Sequence, residues 1–301
     1  MLVGTVASFE LLSCSHKERR EHIARMVDKG IDHVFMADHV SFHNGLGMDG
    51  LINAATIAAQ DERLKVLVGV YLLALRHPLP VARQLATIAQ AAPGQLILGV
   101  GVGGEDRNEI AMCGVDPATR GRRTDECLAV LEGVAGGEPF DFDGEFFQFE
   151  RALIKPAPNP AIPILIGGRV DASLERAARF GDGWLAVWVS PERFERATAQ
   201  VDARAAELGR PQPASHGLQL WAGVGDNKEV ARARLADAMQ KFYHVPFERF
   251  EKYSPYGTAA EIADFLARYR DKGCKLFNVM PIAETEAEGI DAVAEIRARL
   301  A

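Results

Sequence analysis

The chain has 301 residues and a mass of 32.8 kDa, long enough to bury a large core without disulfide or metal staples. Hydrophobic residues make up 48% and charged residues 25%, which argues against a disordered or fibrous chain. With 34 Lys and Arg against 41 Asp and Glu, the net charge is -7, and the composition offers no basic surface for nucleic acid or an anionic membrane.

The chain order is an alternation of short apolar, β-branched runs with longer amphipathic stretches. Leu2 to Ala7 reads as a first strand, followed by the capping box Ser15 to Glu18 and a helix ending near Gly30. His33 to Ala37 is a second strand, with a helix from Leu51 to Gln60. Lys65 to Leu73 is a third strand, and its helix opens at Pro78 and Pro80 and runs to about Ala92. Gln95 to Val100 is the fourth, with a helix expected from Asp116-Pro117 to Gly133. Phe140 to Phe149, with Asp143-Gly144 between aromatic residues, reads as an inserted hairpin. Ile162 to Ile166 is strand five, with a helix from Asp171 to Phe180. Gly183 to Val189 is strand six, with a helix capped by Ser190-Pro191 and ending at Gly209. Leu218 to Val224 is strand seven, with a helix from Asn227 to about Phe242 and an aromatic, irregular segment to Gly257. A second capping box, Thr258 to Glu261, opens a helix to about Lys272. Lys275 to Met280 is strand eight, and a last helix runs to Leu300.

Strands alternating with helices imply a parallel sheet, and eight such units in one chain favour a closed (β/α)8 TIM barrel over a doubly wound sheet. The expectation is one domain, residues 1–301, decorated by the hairpin and the aromatic loop segment. No apolar run reaches the roughly 18 residues of a membrane span. The start lacks a basic n-region, so a secretory signal is not expected. Four scattered cysteines without a CxxC pair point away from a zinc site or disulfide framework and toward the cytoplasm.

Barrel chemistry gathers at the C-terminal ends of the strands. Asp38 and His39 follow strand two, with His43 and Asn44 behind. Tyr71, Arg76 and His77 follow strand three, and a segment from Gly101 through Glu105 to Glu109 follows strand four. Gly99, Gly101 and Gly104 satisfy GxGxxG, but in the fourth unit rather than the first, which speaks against a dinucleotide fold. These glycines serve either a closely approaching ligand or tight packing of the barrel. Gly167-Gly168-Arg169 stands before a helix start, where free N–H groups and the helix dipole favour an anion such as phosphate; the alternative is an ordinary turn. His39 suits an acid–base or hydrogen-bonding role at its strand-end position, imidazole being the usual proton-transfer side chain, or a structural one. No metal site is expected: strand one carries no HxH and the chain no HExxH. Trp184 and Trp188 read as core in preference to pocket wall, and Arg120, Arg122 and Arg123 as a solvated face supporting the strand-four segment.

At these residues the chain resembles the bacterial-luciferase-like superfamily of flavin- and deazaflavin-dependent oxidoreductases. The resemblance is carried by Met36 to His39, by Gly69 to Leu73 with Arg76-His77-Pro78, by Leu98 to Gly103 with Glu109, and by Pro163 to Gly168 with Ala177 to Trp184. It implies a barrel, often dimeric, that binds a reduced flavin-type cofactor and a small-molecule substrate. Implied roles are a non-prolyl cis bond at Tyr71-Leu72 behind the ring, Val102 and Gly103 along it, and Gly167, Gly168 and Arg169 at the phosphate. Asp38 and His39 would stand beside the reactive ring as catalytic residues. The nearest pattern within the family implies the 8-hydroxy-5-deazaflavin F-420 as cofactor, with FMN the alternative. In the sugar-phosphate branch an acid directly follows Gly-x-Gly-x-Gly; here Gly104 intervenes before Glu105, which counts against a sugar-phosphate substrate. The rivals are an FMNH2-dependent monooxygenase using oxygen, with the aromatic 242–256 segment closing a dry pocket, and a non-catalytic flavin-binding protein on the same fold.

Overall fold

The computed structural model describes residues 1–43, 45–103 and 106–301. They divide into two units, one of Met1–Phe35 with Gly183–Ala301, the other of Met36–Asp182. In chain order the elements are β1 (Leu2–Val6), α1 (Phe9–Ser13), α2 (His16–Asp28) and β2 (His33–Met36), then the hairpin β3 (His39–Phe42) and β4 (Leu46–Met48). There follow α3 (Gly50–Ala58), β5 (Lys65–Leu72), α4 (Pro78–Ala91), β6 (Leu96–Gly101), α5 (Arg107–Met112) and α6 (Arg120–Val134). The hairpin β7 (Phe140–Asp143) and β8 (Gln148–Ala152) leads to β9 (Ile164–Gly167), α7 (Asp171–Phe180) and β10 (Gly183–Val187). The chain finishes with α8 (Pro191–Glu207), β11 (Gly217–Val224), α9 (Lys228–Tyr243), β12 (Tyr256–Gly257), α10 (Ala259–Arg270), β13 (Leu276–Ile282) and α11 (Glu286–Leu300).

All eight expected strands are present, as β1, β2, β5, β6, β9, β10, β11 and β13. The chemistry that sets the helix starts is local. Ser15 and Glu18 exchange both capping-box bonds, as do Thr258 and Glu261, so each satisfies donors the first helical turn leaves orphaned. Asn227 and Ser190 cap α9 and α8 through their side chains. One boundary differs from expectation. Asp116-Pro117 forms a turn, with Thr119 N–H on Asp116 O at 2.9 Å, and α6 begins only at Arg120.

In the first unit β1 pairs in parallel with β2 and β13, and β11 pairs in parallel with β13, β10 and β12. Its interior carries a buried polar pair, His33 Nε2 and Asn278 Oδ1 at 2.7 Å. In the second unit β6 lies between β5 and β9, again parallel, with β3–β4 and β7–β8 as antiparallel hairpins. The strands β2, β6 and β9 are nearly all buried, as strands of a parallel sheet covered by helices must be. No helix among the described residues is long and apolar enough to cross a membrane.

Candidate functional site

The residues expected to be catalytic or to bind the cofactor all belong to the second unit, at or just past the C-terminal ends of β2, β5, β6 and β9. Asp38, just past β2, is 1% exposed. Its Oδ1 accepts from Gly50 N–H at 3.0 Å and Arg76 Nη2 at 2.9 Å. Its Oδ2 accepts from Leu72 N–H at 2.9 Å and Arg76 Nη1 at 2.6 Å. Burial pushes this carboxyl above the usual carboxylate range, against the opposing pull of Arg76 and the two backbone donors. Four bonds tie the end of β2 to the start of α3, the end of β5 and a guanidinium that itself lies 4.5 Å over the Tyr71 ring.

His39 is engaged differently. Its Nδ1 is 3.0 Å from Glu109 Oε2, and Glu109 is 2% exposed. The other oxygen of Glu109 accepts from Val40 N–H at 2.7 Å and Ser41 N–H at 3.0 Å. Glu109 sits on α5, a six-residue helix capped by Asp106, whose carboxylate also takes the His43 N–H at 2.8 Å. The His39 side chain keeps 21% of its surface exposed, so the ring is held at Nδ1 without being sealed from solvent.

The non-prolyl cis bond lies at Gly69–Val70, two residues before the expected Tyr71–Leu72, which is not among the cis bonds. The reason is in the ladder. Register shifts between Val68 and Tyr71, whereas Tyr71 and Leu72 pair regularly with Val100 and Gly101. The irregular stretch is accommodated by three glycines on neighbouring strands. A Cβ on Gly101 would strike Val70 Cγ2, one on Gly167 would come within 2.9 Å of Val70 Cγ1, and one on Gly99 would meet Val68 O. For Gly99 and Gly101 this crowding fits the tight-packing alternative of the sequence reading, and Gly167, expected at the phosphate, is packed against Val70 as well. Gly104 and Glu105 lie outside the described residues.

Exposure sorts the expected ring contacts. Tyr71 and Leu72 are buried, and Val102 and Gly103 are half-buried, as is Val70; of the residues expected at the phosphate, Gly167 is buried and Arg169 exposed. Gly103 has φ +68, a left-handed conformation that favours glycine. Arg120 Nε reaches its carbonyl at 3.4 Å, so that arginine does support the strand-four segment. Arg123 Nε bonds Ala74 O at 2.9 Å, and Arg122 pairs with Glu145 of the hairpin. Gly168 has φ +126, and a Cβ there would crowd Ser173 at 2.8 Å. Helix α7 starts after Val170, which makes no side-chain capping bond.

The aromatic residues of the first unit are a separate matter. Trp184 is 1% exposed and stacks on Phe194 at 5.9 Å, as core. Trp188 is only half-buried and adopts φ +50, with Tyr243 and Phe250 at 4.9 and 4.7 Å. Phe247 and Phe250 of the irregular segment pack into a cluster with Trp221, Leu235 and Met239. Cys127 and Cys274 are buried, and desolvation pushes each thiol up to about 12, where it is inert near neutral pH.

Val70, Arg76 and Glu109 are residues at this site whose part sequence reasoning did not assign. Val70 stood inside a quoted motif. Glu109 stood in a polar segment, 70 positions from its partner, and only the fold brings the two together.

A family model described as luciferase-like monooxygenase matches residues 4–278. An uncharacterized protein of Mycobacterium tuberculosis is 35% identical over 166 residues, 55% of this chain and 57% of its own. The 5,10-methylenetetrahydromethanopterin reductase of Archaeoglobus fulgidus is 28% identical over 69% of this chain and 60% of its own. An FMNH2-dependent dimethylsulfone monooxygenase of Pseudomonas putida is 29% identical over 69% and 58%. The matches thus span a little over half the length of these curated relatives. Among solved structures, an F-420-dependent secondary alcohol dehydrogenase with an F-420–acetone adduct superposes with a TM-score of 0.85 at 20% identity, covering 100% of both chains. That likeness gives the fold class, a (β/α)8 barrel. Together with the matched residues it makes this chain a member of the luciferase-like monooxygenase family.

Proposed function

We propose that this chain is an oxidoreductase in which coenzyme F-420 exchanges hydride with a small organic substrate, with FMN as the alternative cofactor. The observation that carries this reading is the His39–Glu109 pair, a partly exposed imidazole held by a buried carboxylate, in the same unit as half-buried Val70, Val102 and Gly103. The residues suit a flat ring. Val70 presents a small apolar surface, and Gly103 brings backbone without a side chain. The start of α7 with Gly168 and Arg169 suits a phosphate, because helix N–H groups and the positive dipole end favour an anion.

When bound, the cofactor ring supplies the hydride chemistry. The chain's part is to orient the ring and carry the proton. His39 exchanges a proton with the substrate through Nε2, the nitrogen opposite the one held by Glu109. Asp38, expected as catalytic, has its carboxylate fully engaged by Arg76, Leu72 and Gly50. Its part in this reading is to hold the ends of β2 and β5 so that His39 and Val70 keep their places.

Relatives named for F-420 and for FMNH2 keep both cofactors in play. The monooxygenase reading calls on the 242–256 segment to close a dry pocket, and the burial of Phe247 and Phe250 in their own cluster gives it no support. The test is titration of the purified protein with F-420 and with FMN, following quenching of ligand fluorescence, then turnover with and without oxygen. Quenching by F-420 with oxygen-independent turnover is expected. Oxygen consumption with FMNH2 would establish the monooxygenase instead, and binding without turnover the non-catalytic alternative.

A further inference from the structure

Within that reading of His39 as the proton carrier, we infer that Glu109 is the positioning residue that decides which nitrogen of His39 meets the ligand, and in which state. Oε1 of Glu109 is committed to two backbone N–H groups, Val40 at 2.7 Å and Ser41 at 3.0 Å. Those groups can only donate, so the carboxylate is locked in orientation by the main chain and Oε2 is left facing His39 Nδ1 at 3.0 Å. A carboxylate oxygen accepts, so Nδ1 carries the hydrogen. In a neutral imidazole the other nitrogen, Nε2, is then the acceptor. The Glu109 side chain is 3% exposed, so water does not compete for it. The ring plane is further held by Phe42, its centroid 4.3 Å away. Helix α5 is pinned to the same hairpin a second time, through Asp106 and the His43 N–H at 2.8 Å.

An isosteric change makes the consequence sharp. In Glu109→Gln the amide oxygen must take the place of Oε1, because Val40 and Ser41 still need an acceptor. The amide NH2 then faces His39 Nδ1 as a donor. Nδ1 becomes the acceptor and the hydrogen moves to Nε2. The variant keeps its size and backbone contacts, yet presents a donor to the ligand where the native protein presents an acceptor.

The experiment is long-range proton–nitrogen correlation NMR on protein labelled with nitrogen-15 in histidine, without cofactor, near pH 8. The His39 signals are assigned by their loss in His39→Gln. The native protein is expected in the Nδ1–H form and Glu109→Gln in the Nε2–H form, with Val40 and Ser41 amide signals retained. Turnover of the variant should fall by roughly 10²-fold or more while affinity for the cofactor is little changed, since general acid–base groups contribute on that scale. A native ring in the Nε2–H form, or a folded Glu109→Gln protein that keeps Nδ1–H, overturns the proposal. Should Glu109→Gln not fold, the native tautomer decides alone. If the tautomer inverts as expected but the native protein turns over neither cofactor, the positioning role stands and the proposed function falls.

Discussion

The strand ends of the two units solve the same problem with opposite chemistry. In the first unit, Trp188 and Trp221 meet Tyr243, Phe247 and Phe250 in an aromatic cluster, within which Trp221 Nε1 donates to Tyr243 Oη at 3.1 Å. In the second, the strand ends carry Asp38, His39 and a run of glycines, and the polar groups are satisfied unevenly. Asp38 has every bond inside the protein, whereas His39 has one edge held and 21% of its side chain exposed. The difference teaches that burial and polarity together do not mark the reactive group. Asp38 and Glu109 are 1% and 2% exposed, but one clamps the backbone and the other orients a ring.

The largest effect that bears on this comparison is on rate. His39→Ala should lower turnover by roughly 10²–10⁴-fold, the usual contribution of a general acid–base group, with stability little changed. His39→Asn should keep a hydrogen bond without restoring turnover, since an amide does not titrate near neutral pH. Native turnover per folded molecule in His39→Asn would remove proton transfer from its role.

Asp38→Asn should act on stability first. It leaves the Arg76 guanidinium, 19% exposed, with only the more distant Asp49 carboxylate at 3.8 Å as counter-charge, and breaking a buried pair costs about 3–5 kcal/mol. Urea unfolding measures it. A loss under 1 kcal/mol would mean that the four bonds of Asp38 are not the clamp described. In the first unit the comparison predicts a purely structural loss. Met239 is fully buried among the aromatic rings, so Met239→Ala should destabilise by about 2–5 kcal/mol and leave turnover per folded molecule unchanged.

The fold was legible because its signals are local. The helix from Asp171 to Phe180 was read to the residue, and both capping boxes formed as written. What escaped was short or non-local. Helix α5 spans six residues, fewer than two turns, so no period can show in it. The β3–β4 hairpin carries no alternation that would distinguish it from a loop. The cis bond was misplaced by two residues because a motif gives its neighbourhood, while the break in register between Val68 and Tyr71 depends on glycines at 99, 101 and 167. Glu109 was visible as an acid without a role, because its role is set by backbone N–H groups some 70 positions earlier.

Those glycines allow a middle-sized test. Gly101→Ala puts a methyl group against Val70 Cγ2, and forcing an extra methyl into a packed site costs about 1–3 kcal/mol. Val70→Ala in the same chain should recover most of that loss, which a double-mutant cycle reads directly. Independent, additive losses would separate Gly101 from the bulge and reopen the ligand-approach reading for it.

The smallest effect concerns the anion end of the site. Gly168 precedes α7 and adopts φ +126, where a side chain is strained and would also crowd Ser173. Gly168→Asp adds a carboxylate near the positive end of the helix. A charge at a helix terminus is worth about 0.3–1 kcal/mol, so cofactor affinity should weaken about twofold to fivefold from charge alone. Gly168→Asn separates charge from strain, because it matches Asp in size, tolerates positive φ somewhat better and carries no charge. The Asp variant should bind more weakly than the Asn variant, and added salt should narrow the gap, since exposed charges are screened. Equal affinity of the two folded variants at low salt would mean that the cofactor's phosphate lies away from α7. The positive helix end would then be an ordinary turn, and the polar strand ends of the second unit would hold the ring by Val70, Val102 and Gly103 alone.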